Sequence, residues 1–238
     1  MDITTLNDAL GRLRDKYGLP QGTIVPGTPW PLLQLPSGQE IPLLRWRSER
    51  RFTELKNIID GGTLEGVSTL RFATFRDGGD LLPLLAAELD LACHLTGSRI
   101  VRLYAVMAPG NRACNVIFRL ENGVSGCVEC GVGLPAGTAP VDRHEVIARR
   151  GVASDRTVDT QIPQSSIYLW GEQGARQFTD TDFELYGLPD EGIWTVRAAY
   201  AVLLHPEMGD RWREAGSRSL EQARAALKAA EQGATVEF

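Results

Sequence analysis

A chain of 238 residues, 43% of them hydrophobic, carries enough apolar side chain for a sizeable buried core, in one large domain or two small ones. Its net charge of -5 excludes a surface built to neutralise phosphate, so neither nucleic acid nor an anionic membrane is an expected partner. The first residues, MDITTLNDALGRLRDKYG, lack the charged start and apolar block of a secretory signal, and no apolar run approaches the roughly 20 residues that span a bilayer, which predicts a cytoplasmic protein.

Residues 3 to 17 space leucine and tyrosine as a short helix does. The next stretch, GLPQGTIVPGTPWPLLQLPSGQEIP, is so rich in proline and glycine that it predicts irregular chain. Residues 1–45 are therefore expected to be an irregular lead-in with a short N-terminal helix, and 46–238 a separate domain. Arg45, Arg47, Arg50 and Arg51 form the dense basic run, which suits a solvated or salt-bridged helix start. SERRFTELKNIIDGG then offers Ser48 as a cap, Phe52, Leu55, Ile58 and Ile59 at helical spacing, and a glycine pair as a stop.

The stretch GGDLLPLLAAELDLACHLTG, residues 78 to 97, has the length and apolar content of a buried helix ending at Gly97. Strands are predicted at 67–75, 99–107, 114–121, 124–132, 144–150 and 166–170. Asn122-Gly123 between two alternating runs predicts a tight hairpin, because both central residues of that turn need positive φ. Two helices close the chain, at about 191–205 before Pro206 and about 219–232 before Gly233. The order predicts an α+β fold with an open, mainly antiparallel sheet and helices packed on one face.

Four cysteines, Cys93, Cys114, Cys127 and Cys130, are expected as reduced, mostly buried thiols. CVEC at 127–130 has a redox or metal spacing, but residues three apart on a strand point to opposite faces. A two-residue turn at Asn122-Gly123 also sets Phe118 opposite Cys127 and Asn115 opposite Cys130, which leaves no cross-strand disulfide. His94, His144 and His205 stand far apart, and no metal is expected. The glycine-rich phosphate turns G-x-G-x-x-G and G-x-x-x-x-G-K-S/T are missing, as is a G-x-S-x-G elbow, so no cofactor is expected.

Several segments nevertheless resemble the C-terminal domain of the Gfo/Idh/MocA oxidoreductases. ERRFTELKNIIDGGTLEGVSTL is similar to the segment that leaves that family's nucleotide-binding domain. CNVIFRLENGVSGCVEC resembles its hairpin, HEVIARRG its E-V-x-G-x-x-G strand with Ala148 at the first glycine, and SLEQARAALKAAEQGATVEF its closing helix and strand. The resemblance covers about residues 46 to 238. It implies a Rossmann domain of roughly 120 residues ahead of this point, with a Glu-Lys-Pro loop that supplies a catalytic lysine. Here fewer than 50 residues precede the match, and IVPGTPWPLL offers Pro29 without that lysine.

The family helix reads G-x-x-x-D-x-G-x-H-x-x-D. Anchored on Asp90 and Gly97, residues 78–97 place Pro83 at the first aspartate, Leu85 at the glycine and Ala87 at the catalytic histidine. Neither Pro83 nor Ala87 can transfer a proton, so no NAD(P)-dependent dehydrogenase activity is expected of this chain by itself.

Two places could carry other chemistry. Asp90 and His94 are i and i+4 neighbours on the helix face that resemblance assigns to the pocket, so they form either an acid–base pair or an ordinary helix-surface pair. Glu88 falls on the leucine face and needs a partner, for which Arg47, Arg50 or Arg102 is available. In the segment from Asp142 to Ser165, His144 is a second candidate base. Arg143, Glu145, Asp155, Arg156, Asp159, Gln161 and Gln164 either bind a polar ligand such as a sugar or solvate a long loop.

Two functions are expected to compete. The first is a non-dehydrogenase derivative of the family, a substrate-binding or oligomerisation subunit that associates through its open sheet with its own copies or with a full-length dehydrogenase. The second is a cofactor-independent lyase, isomerase or cyclase acting on a polar small molecule.

Overall fold

A computed structural model describes residues 2–155, 166–171, 174–179, 185 and 187–238. The chain divides into two compact units, Met1–Arg50 with Thr181–Arg218, and Arg51–Asp180 with Ser219–Phe238.

In the first unit, α1 (Ile3–Tyr17) starts where the Asp2 carboxylate accepts the Thr4 N–H at 3.0 Å, and it ends at Gly18, whose φ of 64° lies in the left-handed region. The proline-rich stretch is ordered as three short antiparallel strands, β1 (Thr23–Val25), β2 (Leu32–Gln34) and β3 (Glu40–Pro42). Each buries its middle residue, Ile24, Leu33 and Ile41, while the prolines fall between strands or at their ends. Asn7 ties the helix to β1 by imitating a strand partner: its amide donates to the Ile24 carbonyl at 2.9 Å and accepts the Ile24 N–H at 2.8 Å.

Helix α4 (Asp190–Leu204) packs on α1 within the same unit. Helix α5 (Met208–Gln232) begins eleven residues before the start predicted at 219. Its interior Gly216 hid that continuation in the sequence. A Cβ there would stand 3.3 Å from the Trp30 ring and 3.4 Å from Leu44, so the glycine permits a close approach.

The second unit holds a nine-stranded sheet in the order β11-β10-β9-β8-β4-β7-β6-β5-β12. Its strands are β4 (Val67–Phe75), β5 (Ile100–Met107), β6 (Ala113–Leu120), β7 (Ser125–Gly131), β8 (Val141–Ala148), β9 (Gly151–Ser154), β10 (Ser166–Gly171), β11 (Gly174–Thr179) and β12 (Thr235–Glu237). Among the described residues only β4 and β7 pair in parallel. Alternate residues are buried along β5 and β6, as a sheet covered on one face requires. Helix α3 (Leu81–Thr96), capped by Asp80 and closed by Gly97 at φ 62°, lies over β7 and β4 on the covered face.

Two local expectations are corrected. Ser48 does not cap α2 (Arg50–Asp60): it ends a 3-10 turn over Arg45–Arg47, and its Oγ is buried without a hydrogen bond. The β6–β7 hairpin is one residue out of the predicted register. Leu120 N–H donates to the Val124 carbonyl at 2.8 Å, closing a three-residue loop with Gly123 at φ 89°. Asn122 does not adopt the positive φ that the two-residue turn needs; its side chain instead accepts the Val124 N–H, and its N–H donates to Ser98 Oγ. Cys127 therefore opposes Ile117, and Cys130 opposes Cys114.

Among the described residues no helix is long and apolar enough to cross a membrane.

Candidate functional site

The densest chemistry of the second unit lies under the sheet, around His144. Strand alternation turns His144 and Val146 to the covered face, and Phe72 lies opposite His144 on β4. The ring is 1% exposed. Phe52 of α2 and Phe72 meet it edge-on, with centroids 4.6 and 4.9 Å away.

Both imidazole nitrogens are engaged by carboxylates. Nδ1 lies 2.7 Å from Asp155 Oδ2, and Nε2 lies 3.0 Å from Glu88 Oε2 on α3. Asp155 also accepts the backbone N–H of His144 at 2.5 Å through its other oxygen, and Glu88 accepts the Thr74 hydroxyl at 2.8 Å. Burial alone would strip the proton from this imidazole. Asp155 and Glu88 outweigh it and push the pKa up to about 10, so the ring is an imidazolium at neutral pH, with both nitrogens donating.

Arg51, in the first turn of α2, closes the cluster. Its guanidinium reaches Asp155 Oδ2 at 2.7 Å and Asp142 Oδ2 at 2.9 Å, and Arg76 stands 3.6 Å from Asp142. Burial works against ionisation of Asp142, yet Arg51, His144 and Arg76 together hold its carboxyl below the usual range. Three cations thus face three carboxylates, the condition under which buried charge is tolerated.

Asp142, His144 and Asp155 offer ligand atoms within 4.8 Å of one another, a spacing that suits a metal ion. The guanidinium of Arg51, however, occupies the space that both aspartates face, so a divalent ion would have to displace a resident cation.

Of the predicted site residues, the structure joins His144 and Asp155 directly. Asp90 and His94 lie one turn apart on α3, Asp90 buried and His94 half-buried. Arg143 and Glu145 point to the opposite, open face of β8, where Glu145 stands 3.8 Å from Arg71. Arg156, Asp159, Gln161 and Gln164 lie outside the described residues. Glu88 does find a partner, but it is His144 and Thr74 rather than an arginine. Arg51 and Asp142 were missed. The available signals were Asp142 two residues before His144, hence on the same strand face, and a basic run opening an amphipathic helix.

The open face of the sheet carries the second feature. Tyr104, Ile117, Cys127, Arg71 and Glu145 form one row across β5, β6, β7, β4 and β8 by direct register. Val106 lies two residues from Tyr104 on the same face. Tyr104, Val106 and Ile117 are 40%, 51% and 58% exposed, so the apolar end of the row meets solvent.

Comparison with solved structures places this fold. An oxidoreductase from Thermotoga maritima superposes with a TM-score of 0.63 at 15% identity, covering 83% of this chain and 63% of its own. An inositol dehydrogenase homolog from Azotobacter vinelandii, complexed with NADH and myo-inositol, gives 0.62 at 14% identity over 82% of this chain and 63% of its own. Levoglucosan dehydrogenase, complexed with NADH and levoglucosan, gives 0.66 at 13% identity over 82% of this chain and 64% of its own. These neighbours are Gfo/Idh/MocA-type oxidoreductases, and at such identities the likeness is one of fold. The chain spans under two thirds of their length. No protein-family model matches the chain, and no curated protein matches it.

Proposed function

We propose that this chain is a non-dehydrogenase subunit of Gfo/Idh/MocA type that associates through the open face of its sheet, with a second copy of itself as the first partner, and carries no NAD(P) chemistry on its own. The observation that carries this is the exposed Tyr104–Ile117 pair with Val106 beside it, on β5 and β6 near the β12 edge of the nine-stranded sheet. Arginines (Arg71, Arg119, Arg143) and glutamates (Glu129, Glu145) on the same face give a two-fold copy both signs of charge to meet. Pro83 and Ala87 at the positions where the resemblance expects acid and base support the lack of hydride chemistry. The buried His144 cluster, in this view, is a structural clamp.

The test is native mass spectrometry of the wild type and of Tyr104→Glu/Ile117→Lys. Exposed substitutions of this kind change monomer stability by about 0.5 kcal/mol or less. A wild-type oligomer that becomes a folded monomer in the variant is expected. A wild type that is monomeric and carries no second chain overturns the proposal. A larger co-purifying chain would transfer the search for catalysis to that chain. Loss of a measured turnover in a folded His94→Ala variant would instead favour a cofactor-independent enzyme using Asp90 and His94.

A further inference from the structure

The corrected register of β6 and β7 sets two thiols face to face. Cys114 and Cys130 are direct cross-strand partners, both buried and both free, with sulfurs 3.5 Å apart. The Val132 N–H donates to the Arg112 carbonyl at 2.8 Å, which marks residues 112 and 132 as a hydrogen-bonded pair of the antiparallel ladder. Two residues further along each strand, Cys114 and Cys130 form a pair of the same kind, whose Cα atoms lie about 5.5 Å apart. Disulfides bridge Cα separations of about 4.4 to 6.8 Å, so the backbone already stands at bonding distance. Closing the sulfurs from 3.5 Å to about 2.05 Å asks for side-chain rotation and a local approach of the two strands, since the Cβ atoms of a hydrogen-bonded pair stand wider than the roughly 3.5–4.5 Å of a disulfide.

We propose that Cys114 and Cys130 are an oxidisable dithiol that a small hydroperoxide converts to an internal cross-strand disulfide. In the first step the Cys114 sulfur attacks a peroxide oxygen. The O–O bond breaks, an S–O bond forms, and the departing hydroxide takes up a proton to leave as water. In the second step the Cys130 sulfur attacks the Cys114 sulfenic acid, forming S–S and breaking S–O, while the Cys130 proton leaves with the hydroxyl as a second water. The two thiols give up two electrons and two hydrogens, and hydrogen peroxide is reduced to two waters.

The surroundings assign the order. Either thiol can donate across the 3.5 Å contact; with Cys130 as the donor the Cys114 pKa falls below its ordinary value, which favours Cys114 as the first nucleophile. The same bond, then burial, then the charges of Cys114 and Glu88 push the Cys130 thiol up, so Cys130 keeps its proton until it resolves the sulfenic acid. Cys127 provides an internal control. It lies on the opposite face, donates to Asn115 Oδ1 at 3.3 Å, and is pushed up by burial and by Glu129.

The experiment treats the reduced, full-length chain with hydrogen peroxide, blocks remaining thiols with N-ethylmaleimide in denaturant, and reads intact and peptide masses. The expected result is a loss of roughly 2 Da, for two hydrogens, before blocking. One Cys114–Cys130 cross-linked peptide should follow, reversed by dithiothreitol. Cys130→Ser should stop at a sulfenic acid trapped by dimedone on Cys114. The proposal is overturned if all four thiols still take the label at peroxide doses that oxidise a free cysteine standard. A cross-link through Cys127 or Cys93, or dimedone captured on Cys127 alone, overturns it equally.

Discussion

The imidazolium of His144 should make the stability of this protein fall with rising pH across the neutral range. Its pKa rises from an ordinary 6.5 to about 10 in the folded chain. Folding therefore favours the protonated form, and the stabilisation is complete below pH 6.5 and lost as the pH rises through about 10. Between those limits the unfolded chain has released a proton that the native chain still holds, so stability drops by about 1.4 kcal/mol per pH unit. From about pH 7 to about pH 9 this amounts to ~3 kcal/mol. His144→Gln removes the titration and leaves Glu88, Asp142 and Asp155 with one cation fewer, at a cost of about 3–5 kcal/mol near neutral pH. For a chain of this size that lowers Tm by roughly 6–20 °C. Urea unfolding of both proteins at several pH values measures the slopes. Equal slopes in wild type and variant, or a wild type that gains stability from about pH 7 to about pH 9, would refute a buried imidazolium.

Three further outcomes follow from the same packing. Arg51→Ala should destabilise by about 3–5 kcal/mol, because Asp155 and Asp142 lose the guanidinium that bridges them; Arg51→Lys should recover little, since an ammonium cannot span two carboxylates as a planar fork does, and thermal unfolding reads both. Gly126→Val should cost about 1–3 kcal/mol in urea unfolding, since a Cβ there meets the buried Phe118 ring at 2.1 Å. Asp80→Ala should cost about 1 kcal/mol by removing the carboxylate that accepts the Leu82 N–H at the start of α3, and a drop near zero in a chemical melt would count against that cap.

Periodic segments were legible because their burial is periodic. Helix α3, strands β4 to β8 and helix α4 lie close to where apolar spacing placed them, and the open, mainly antiparallel sheet follows from their order. What failed was decided by single backbone torsions or by contacts remote in sequence. Asn122-Gly123 carries the signature of a two-residue turn, yet only Gly123 adopts positive φ, and that one torsion moved Cys130 from Asn115 to Cys114. The short strands β1 to β3 were hidden by prolines that sit at strand ends, where no ladder donor is needed. For the site, Glu88 was recognisable as a carboxylate needing a partner, but the partner is 56 positions away on another element. Arg51 and Asp155, 104 positions apart, meet only because α2 and the end of β9 converge on His144.

The placing of β4 bears on how the chain emerges during synthesis. It is the first strand of the large sheet to be made, yet it lies between β7 and β8, with Thr69 waiting for Ser125 and Phe72 for His144. Until those partners are translated, both of its edges present unpaired backbone groups beside Leu70 and Phe72, the kind of segment on which chaperones and misassembly compete. The β5–β6–β7 meander closes through sequence-local hairpins, so it can form first and accept β4 along its parallel edge. The ion cluster draws on α2, β4, α3, β8 and Asp155 at the end of β9, so it is completed only when β8 and β9 dock. A slow final phase that His144→Gln speeds or slows would place that docking in the rate-limiting step.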